Sequence, residues 1–147
     1  MENQNGNYIR ELIRILVRNL GILEKSEATC SGLTMPKCHA IVEIGRAKEI
    51  SLNELAVVLE LDKSTMSRTI NNLVDEELVI RETHIEDRRY ITITLTKKGK
   101  QVFENIESNM ELYYGDIFKS IPEDKRALVI EGLELLTDAI KENKDCY

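Results

Sequence analysis

The segment from Leu61 to Lys98 constrains this chain more than any other. It reads as one helix, Ser64-Thr65-Met66-Ser67-Arg68-Thr69-Ile70-Asn71-Asn72-Leu73, followed by two short β-rich runs. Those runs are Val79-Ile80-Arg81-Glu82-Thr83 and Tyr90-Ile91-Thr92-Ile93-Thr94-Leu95, and the arginine-tipped turn Ile85-Glu86-Asp87-Arg88-Arg89 joins them. A helix that exposes hydroxyls, amides and one arginine can enter the major groove of B-form DNA. A hairpin with arginine at its tip can reach the neighbouring minor groove. Together they predict a winged helix-turn-helix in a mainly α fold with a small β-wing.

The preceding elements support that reading. Ser51-Leu52-Asn53-Glu54 has the form of a capping box, in which serine and glutamate satisfy each other's free backbone donors. It predicts a short helix with Leu55, Val58 and Leu59 facing inward and Ala56 allowing close helix contact. Asp62 is the expected N-cap of the next helix, Lys63 to about Glu76. Thr34 with Pro36 predicts an earlier helix start; Cys38, Ile41, Val42 and Ile44 lie along that helix, which is expected to end near Gly45. An N-terminal helix from about Tyr8 to Lys25 follows from Ile9, Leu12, Ile13, Leu16, Leu20 and Leu23 at three- and four-residue spacing. Arg10, Arg14 and Arg18 repeat on another face, as a solvated row pairing with Glu11 or as phosphate contacts.

After the hairpin, Thr96-Lys97-Lys98-Gly99 opens a long helix with a stripe of Val102, Phe103, Ile106, Met110, Tyr113, Ile117 and Phe118. Ser120-Ile121-Pro122-Glu123 reads as a second capping box before a last helix carrying Leu128, Leu133, Leu135, Leu136 and Ile140. The end helices are apolar on one side and need a surface to bury it. The predicted organisation is an N-terminal dimerisation helix and loop over 1–32, a winged helix-turn-helix over 33–98, and C-terminal dimerisation helices over 99–147. A homodimer would place two recognition helices one helical turn apart on a palindromic site.

The net charge of −6 argues at first against a polyanionic partner. Its distribution removes most of the objection: residues 63–100 hold 8 Lys+Arg against 6 Asp+Glu, while residues 101–147 hold 5 against 11. Salt screens the distant acid over roughly 8 Å, so local basic groups should govern binding. No apolar run approaches the roughly 20 residues of a membrane span. The polar N-terminus lacks the form of a signal peptide, which places the protein in the cytoplasm with reduced thiols. A Gly-rich phosphate loop, a paired metal motif and a nucleophile–base pair are not found, and an enzyme is not expected.

At this point the chain resembles the MarR family of bacterial transcription regulators. The residues that carry the resemblance are Leu33-Thr34, Leu55-Ala56, Leu61-Asp62-Lys63-Ser64-Thr65, Arg68 with Leu73, Leu78-Val79 with Arg81, Asp87-Arg88-Arg89, and Leu95-Thr96 with Lys98-Gly99. Their order and spacing cover nearly the whole chain. The resemblance implies a triangular obligate dimer joined through its terminal helices. It also implies a repressor whose DNA affinity falls when a small molecule, an oxidant or a metal arrives. Two departures stand out. Glu77 occupies a position where the family usually has glycine, so a different and costlier helix termination is expected. Glu82 and Glu86 dilute the charge of the wing.

The candidate DNA-binding residues are Lys63, Ser64, Thr65, Ser67, Arg68 and Asn72 on the helix and Asp87, Arg88 and Arg89 on the wing. Arg68 can read guanine or bind phosphate, and Asn72 can read adenine. Ser64 and Thr65 suit phosphate at a helix N-terminus. Arg89 is assigned to the minor groove with Asp87 fixing the turn, ideally as a bidentate pair. The competing view is that Asp87 and the arginines merely pair within a turn. An effector pocket is expected to involve Tyr8, Leu12, Leu16, Met35, Ile41 and Met110, each of which core packing would also explain. No cofactor is required. The thiols Cys30, Cys38 and Cys146 are small buried hydrophobes or a redox pair. A third reading, a metal site from Glu24, Cys30, His39 and Glu107, is similar to zinc-sensing members of the family. The rival function is a winged-helix protein-interaction module that does not bind DNA.

Overall fold

Tertiary order begins with how the chain turns its corners without glycine. The structure, a computed structural model, describes residues 1–24, 32–87 and 89–144; the side chains of Glu2 and of residues 21–24 lie outside that description. The elements run α1 (Glu2–Glu24), α2 (Met35–Ala47), β1 (Glu49–Ser51), α3 (Leu52–Val58), α4 (Lys63–Asp75), β2 (Val79–Thr83), β3 (Ile91–Leu95), α5 (Lys97–Ser120), a 3-10 turn (Glu123–Lys125) and α6 (Arg126–Asn143). Glu60 and Glu77 take φ values of 54° and 62°. In each case a pair of reversed hydrogen bonds closes the preceding helix. Leu61 N–H donates to Ala56 O at 2.9 Å and Glu60 N–H to Val57 O at 3.1 Å; Leu78 N–H donates to Leu73 O at 2.9 Å and Glu77 N–H to Val74 O at 3.0 Å. These are Schellman ends, which usually place glycine at the left-handed residue. Glu77 therefore does not find another termination, as its side chain had suggested; it adopts the glycine conformation. Thr96 Oγ1 donates to the Glu77 carbonyl at 2.7 Å and Lys98 Nζ to the Glu76 carbonyl at 3.2 Å, which hold the turn in place.

Left-handed backbone costs an L-residue roughly 1–2 kcal/mol, and glycine returns part of that gain as unfolded-chain entropy. Glu77→Gly is thus expected to stabilise the protein by about 0.5–1 kcal/mol. A rise in Tm would show it; a fall would mean that the Glu77 side chain supports the turn.

The chain divides into two compact units, Met1–Asn109 and Met110–Tyr147. The core of the first is built from Ile41 and Ile44 of α2, Leu55 of α3, Met66, Ile70 and Leu73 of α4, Ile93 of β3 and Ile106 of α5, all fully buried. Burying each such side chain is worth roughly 1.5–3 kcal/mol. The sheet is antiparallel in the order β1-β3-β2, with Ser51 opposite Thr92 and Val79 opposite Leu95. Strand β1 was not foreseen, because its three residues are too few to show alternation.

Several expectations change. Helix α1 begins at Glu2, because polar Asn3 to Asn7 contain no breaker strong enough to stop it; Gln4 and Asn5 both donate backbone N–H groups to Met1 O. Arg14 pairs with Glu11 at 3.4 Å, as a solvated row would. Thr34 is the N-cap of α2 by position, yet its side chain makes no cap bond. Gly45 does not end α2. It lies inside the helix because a Cβ there would come within 2.4 Å of the Phe103 ring, so the glycine makes room for α5. Val58 is exposed rather than inward, since the short α3 turns only Leu55 and Ala56 fully into the core. Ser51 Oγ does accept from Glu54 N–H at 3.0 Å.

In the second unit, Ser120 does not cap the last helix. Its hydroxyl donates back to Asp116 O at 2.9 Å, and the 3-10 turn intervenes before α6. Arg126 closes α5 instead: Nε donates to Ile121 O and Nη2 to Lys119 O, each at 3.1 Å, while the guanidinium sits 5.1 Å from the Phe118 ring centroid. Helix α6 has no buried residue. Leu128 is 62% and Leu135 64% exposed, and Leu12 and Leu16 of α1 are each above 40%. These end helices therefore carry apolar faces that a single chain leaves in water.

Candidate nucleic-acid interface

The exposed face of α4 follows from its buried one. Met66, Thr69, Ile70 and Leu73 are buried, as the apolar spacing of three of them predicts. At 100° per residue the opposite side is centred on Ser64, Arg68 and Asn71, all exposed. Lys63 and Asn72 are exposed at its margins, and Thr65 and Ser67 are half-buried. Asn71 was missed by sequence reasoning, although its spacing of seven from Ser64 and three from Arg68 marks the same face.

The start of α4 is held by Asp62. Its Oδ1 accepts Thr65 N–H at 2.6 Å and its Oδ2 accepts the Thr65 hydroxyl at 2.9 Å. Thr65 thereby commits its amide and hydroxyl protons within the protein. The Thr65 amide, followed by the Thr65 hydroxyl, holds the Asp62 carboxyl below its ordinary value near 3.8, with smaller help from the Ser64 amide and the Arg68 charge. A depressed folded-state value means that the cap is fully stabilising above the unfolded value and is lost as pH falls through the folded one. Asp62→Asn keeps an acceptor but cannot titrate, so it is expected to flatten the Tm–pH profile below about pH 4. An acid limb identical to that of the parent would show that Asp62 has no part in it.

The wing is the β2–β3 hairpin, with Thr83 opposite Ile91 at its outer end. Beyond it, Asp87 Oδ1 accepts the Arg89 amide at 3.0 Å and Arg89 Nε at 3.4 Å, and Tyr90 N–H donates to Asp87 O at 3.0 Å. One carboxylate oxygen thus serves both Arg89 groups, so the pair engages through Nε and is not a bidentate fork. The Arg89 side chain stays 94% exposed. Arg88 lies outside the described residues. At the outer end of the strands, next to the tip turn, His84 Nε2 lies 3.0 Å from Thr92 Oγ1, its ring meets Tyr90 edge-on at 4.7 Å, and the Tyr90 hydroxyl donates to Glu54 at 3.5 Å. The Tyr90 bond ties the wing to α3.

Two further ties hold α4 in place and were not legible in the sequence. Lys37 of α2 pairs with Glu76 just beyond α4. Arg81 of β2 donates from Nη1 to Asn71 Oδ1, in the middle of the exposed face.

The other candidate sets fare differently. Ile41 is fully buried core and cannot line a pocket; its β-branched side chain fills space between α2 and its neighbours. Tyr8, Leu12 and Leu16 are exposed on α1, and Met110 belongs to the second unit. Met35 borders a small cleft with Pro36, His39, Leu59 and Leu61. Cys38 is 3% exposed, as a small hydrophobe would be. Cys30, Cys146 and the Glu24 side chain lie outside the described residues. Glu107 is engaged by Arg46 at 3.4 Å, and no metal-binding cluster of His, Cys, Asp or Glu occurs among the described residues.

Helix-turn-helix, wing and sheet order together define a winged helix-turn-helix protein. Residues 31–89 match the family model described as MarR family. The HTH-type transcriptional regulator BilQ of Clostridium symbiosum is 26% identical over 112 residues, 76% of this chain and 78% of that protein. Among solved structures, Streptococcus pneumoniae FabT in complex with DNA superposes with a TM-score of 0.83 at 22% identity, covering 94% of this chain and 99% of that one. A mutant MarR from E. coli complexed with operator DNA gives 0.75 at 21% identity, over 87% and 92%. Over residues 31–89 the chain is similar to the MarR family, and the curated relative it matches over three quarters of its length is an HTH-type transcriptional regulator. Among the described residues no helix is long and apolar enough to cross a membrane.

Proposed function

We propose that this protein is a homodimeric repressor that occupies a palindromic operator in double-stranded DNA and leaves it when a small-molecule, redox or metal signal arrives. Residues 33–98 read the DNA; residues 1–32 and 99–147 join the two subunits. The observation that carries this reading is the exposed face of Ser64, Arg68 and Asn71 on α4, in the same unit as a wing whose Arg89 is 94% exposed. Lys63, Ser64, Ser67, Arg68 and Asn72 contact the major groove or its phosphates, Thr65 orders the helix start, and Asp87 presents Arg89 to the minor groove with Arg88 beside it. The exposed leucines of α1 and α6 supply the apolar surface a subunit interface needs. The two DNA-bound structural neighbours support the choice of partner.

The effector would act by population shift, binding best to a dimer whose lobes are wrongly spaced for the operator. The test combines light scattering with duplex titration across salt. A dimer whose affinity falls steeply with salt is expected, since each phosphate contact releases a counterion. A monomer, or a protein that ignores duplex DNA at low salt, would leave the rival reading of a protein-interaction module.

A further inference from the structure

Ile85 is the least protected large apolar side chain in residues 33–98. It is 99% exposed, against 77% for Val57 and 52% for Val58. The fold buries none of its surface, and turn chemistry favours Gly, Pro, Asn, Asp or Ser over a β-branched residue. Its place is nevertheless defined. His84 N–H donates to Tyr90 O at 3.0 Å and closes the tip loop 85–89, of which Ile85 is the first residue and Arg89 the last. Facing residues of an antiparallel pair stand about 5 Å apart, so the two side chains leave the backbone within roughly two base steps of 3.4 Å. The charges of the loop cancel, Glu86 and Asp87 against Arg88 and Arg89. A neutral tip gains little from the phosphate field, and its affinity depends on contact with the groove itself.

The minor groove, about 6 Å wide, admits single side chains. Its floor carries acceptors at every base pair, and Arg89 supplies donors to them. A G·C pair adds one group that an A·T pair lacks, the N2 amino donor of guanine. Isoleucine has no acceptor for it. Packed over a G·C pair, Ile85 would strip water from that amino group and leave it unpaired, which is unfavourable. The floor acceptors occur in both pairs and cancel in the comparison; the amino group does not. We infer that Ile85 is a specificity-determining residue that selects A·T over G·C pairs beside the Arg89 contact by rejecting the 2-amino group of guanine. The inference rests on the proposed DNA-binding function.

The experiment is selection of bound duplexes from a randomised library by the wild-type chain, Ile85→Ser and Ile85→Val. The selected site is then titrated with one A·T pair changed to G·C or to I·C, since inosine is guanosine without the 2-amino group. The wild type is expected to select A·T at the wing step, to bind the G·C site about 10-fold more weakly, and to recover most of that loss with I·C. Ile85→Val should keep the G·C penalty. Ile85→Ser should lose most of it, because a hydroxyl can accept from the amino group. Its salt slope should match that of the parent, since no cation is removed, and Tm should hold in both variants because the side chain is exposed. If Ile85→Ser keeps the full G·C penalty, Arg89 or groove width alone sets it and the inference is wrong. Equal binding of G·C and I·C by the wild type, or an equal loss on all sequences in Ile85→Ser, overturns it as well. If the wild type selects no sequence and shows no salt-dependent binding, the DNA-binding reading itself fails, an outcome distinct from the others.

Discussion

Gly99→Ala is expected to destabilise the protein by roughly 3 kcal/mol or more, with a drop in Tm on the order of 10 °C at fixed protein concentration. A Cβ at this position would stand 2.0 Å from the Leu78 carbonyl oxygen and 3.4 Å from Leu95 Cβ. The obstacle is backbone and it is pinned. Leu78 O accepts Thr96 N–H at 3.1 Å, while Leu78 N–H closes the end of α4 on Leu73 O at 2.9 Å. Gly99 N–H in turn donates to Thr96 Oγ1 at 3.0 Å, so the first turn of α5 cannot slide away without losing its cap. Relief requires moving α5 or the start of β2, and both carry core residues, Ile106 and Val79. Gly6→Ala is the control. Its Cβ would enter open space, and alanine there should be neutral or stabilising by up to about 1 kcal/mol. Thermal melting of the two variants side by side checks the claim; equal Tm values would mean that the α4–β2–α5 junction is far softer than its hydrogen bonds indicate.

Arg89→Ala is expected to weaken operator binding about 10- to 100-fold, the range for losing one well-placed base contact, with Tm nearly unchanged. The asymmetry follows from the environment of the residue. Its side chain is 94% exposed and touches Asp87 through Nε at 3.4 Å, and an exposed pair of this kind contributes little to stability. Asp87 should matter for a different reason. Because its Oδ1 holds the Arg89 backbone amide at 3.0 Å, Asp87→Ala releases the turn and should reduce affinity even though the arginine is still present. Fluorescence anisotropy with an operator duplex at two salt concentrations separates the two effects. An Arg89→Ala protein that binds as tightly as the parent would remove the wing from the mechanism.

Much of this architecture was legible in the residues because it depends on local rules. Met66, Ile70 and Leu73 point inward by helical periodicity alone, and Asp62 caps α4 because an aspartate before a helical run can accept the free N–H of Thr65. The strand pair and the Asp87-containing turn followed from β-branched runs around a polar tip. What escaped were relations between distant segments. Gly45 resembles a helix end in sequence and is a contact site for Phe103 in space. Glu77 looks wrong for a left-handed turn until Thr96 and Lys98 are seen holding its neighbouring carbonyls. Val58 matches a buried position by spacing, yet a helix as short as α3 has only one side fully covered. Ile41 fits a pocket lining as well as a core until its neighbours are known.

The amino-acid order by itself determined the helix periods, the Ser51 and Asp62 caps and the wing, since each is a property of residues within a few positions of one another. The tertiary structure alone decided that Arg81 meets Asn71, that Lys37 meets Glu76 and that Gly99 must lack a side chain. Those pairings join residues from separate elements, and only the packed backbone, by setting which donor faces which acceptor, brings them within reach.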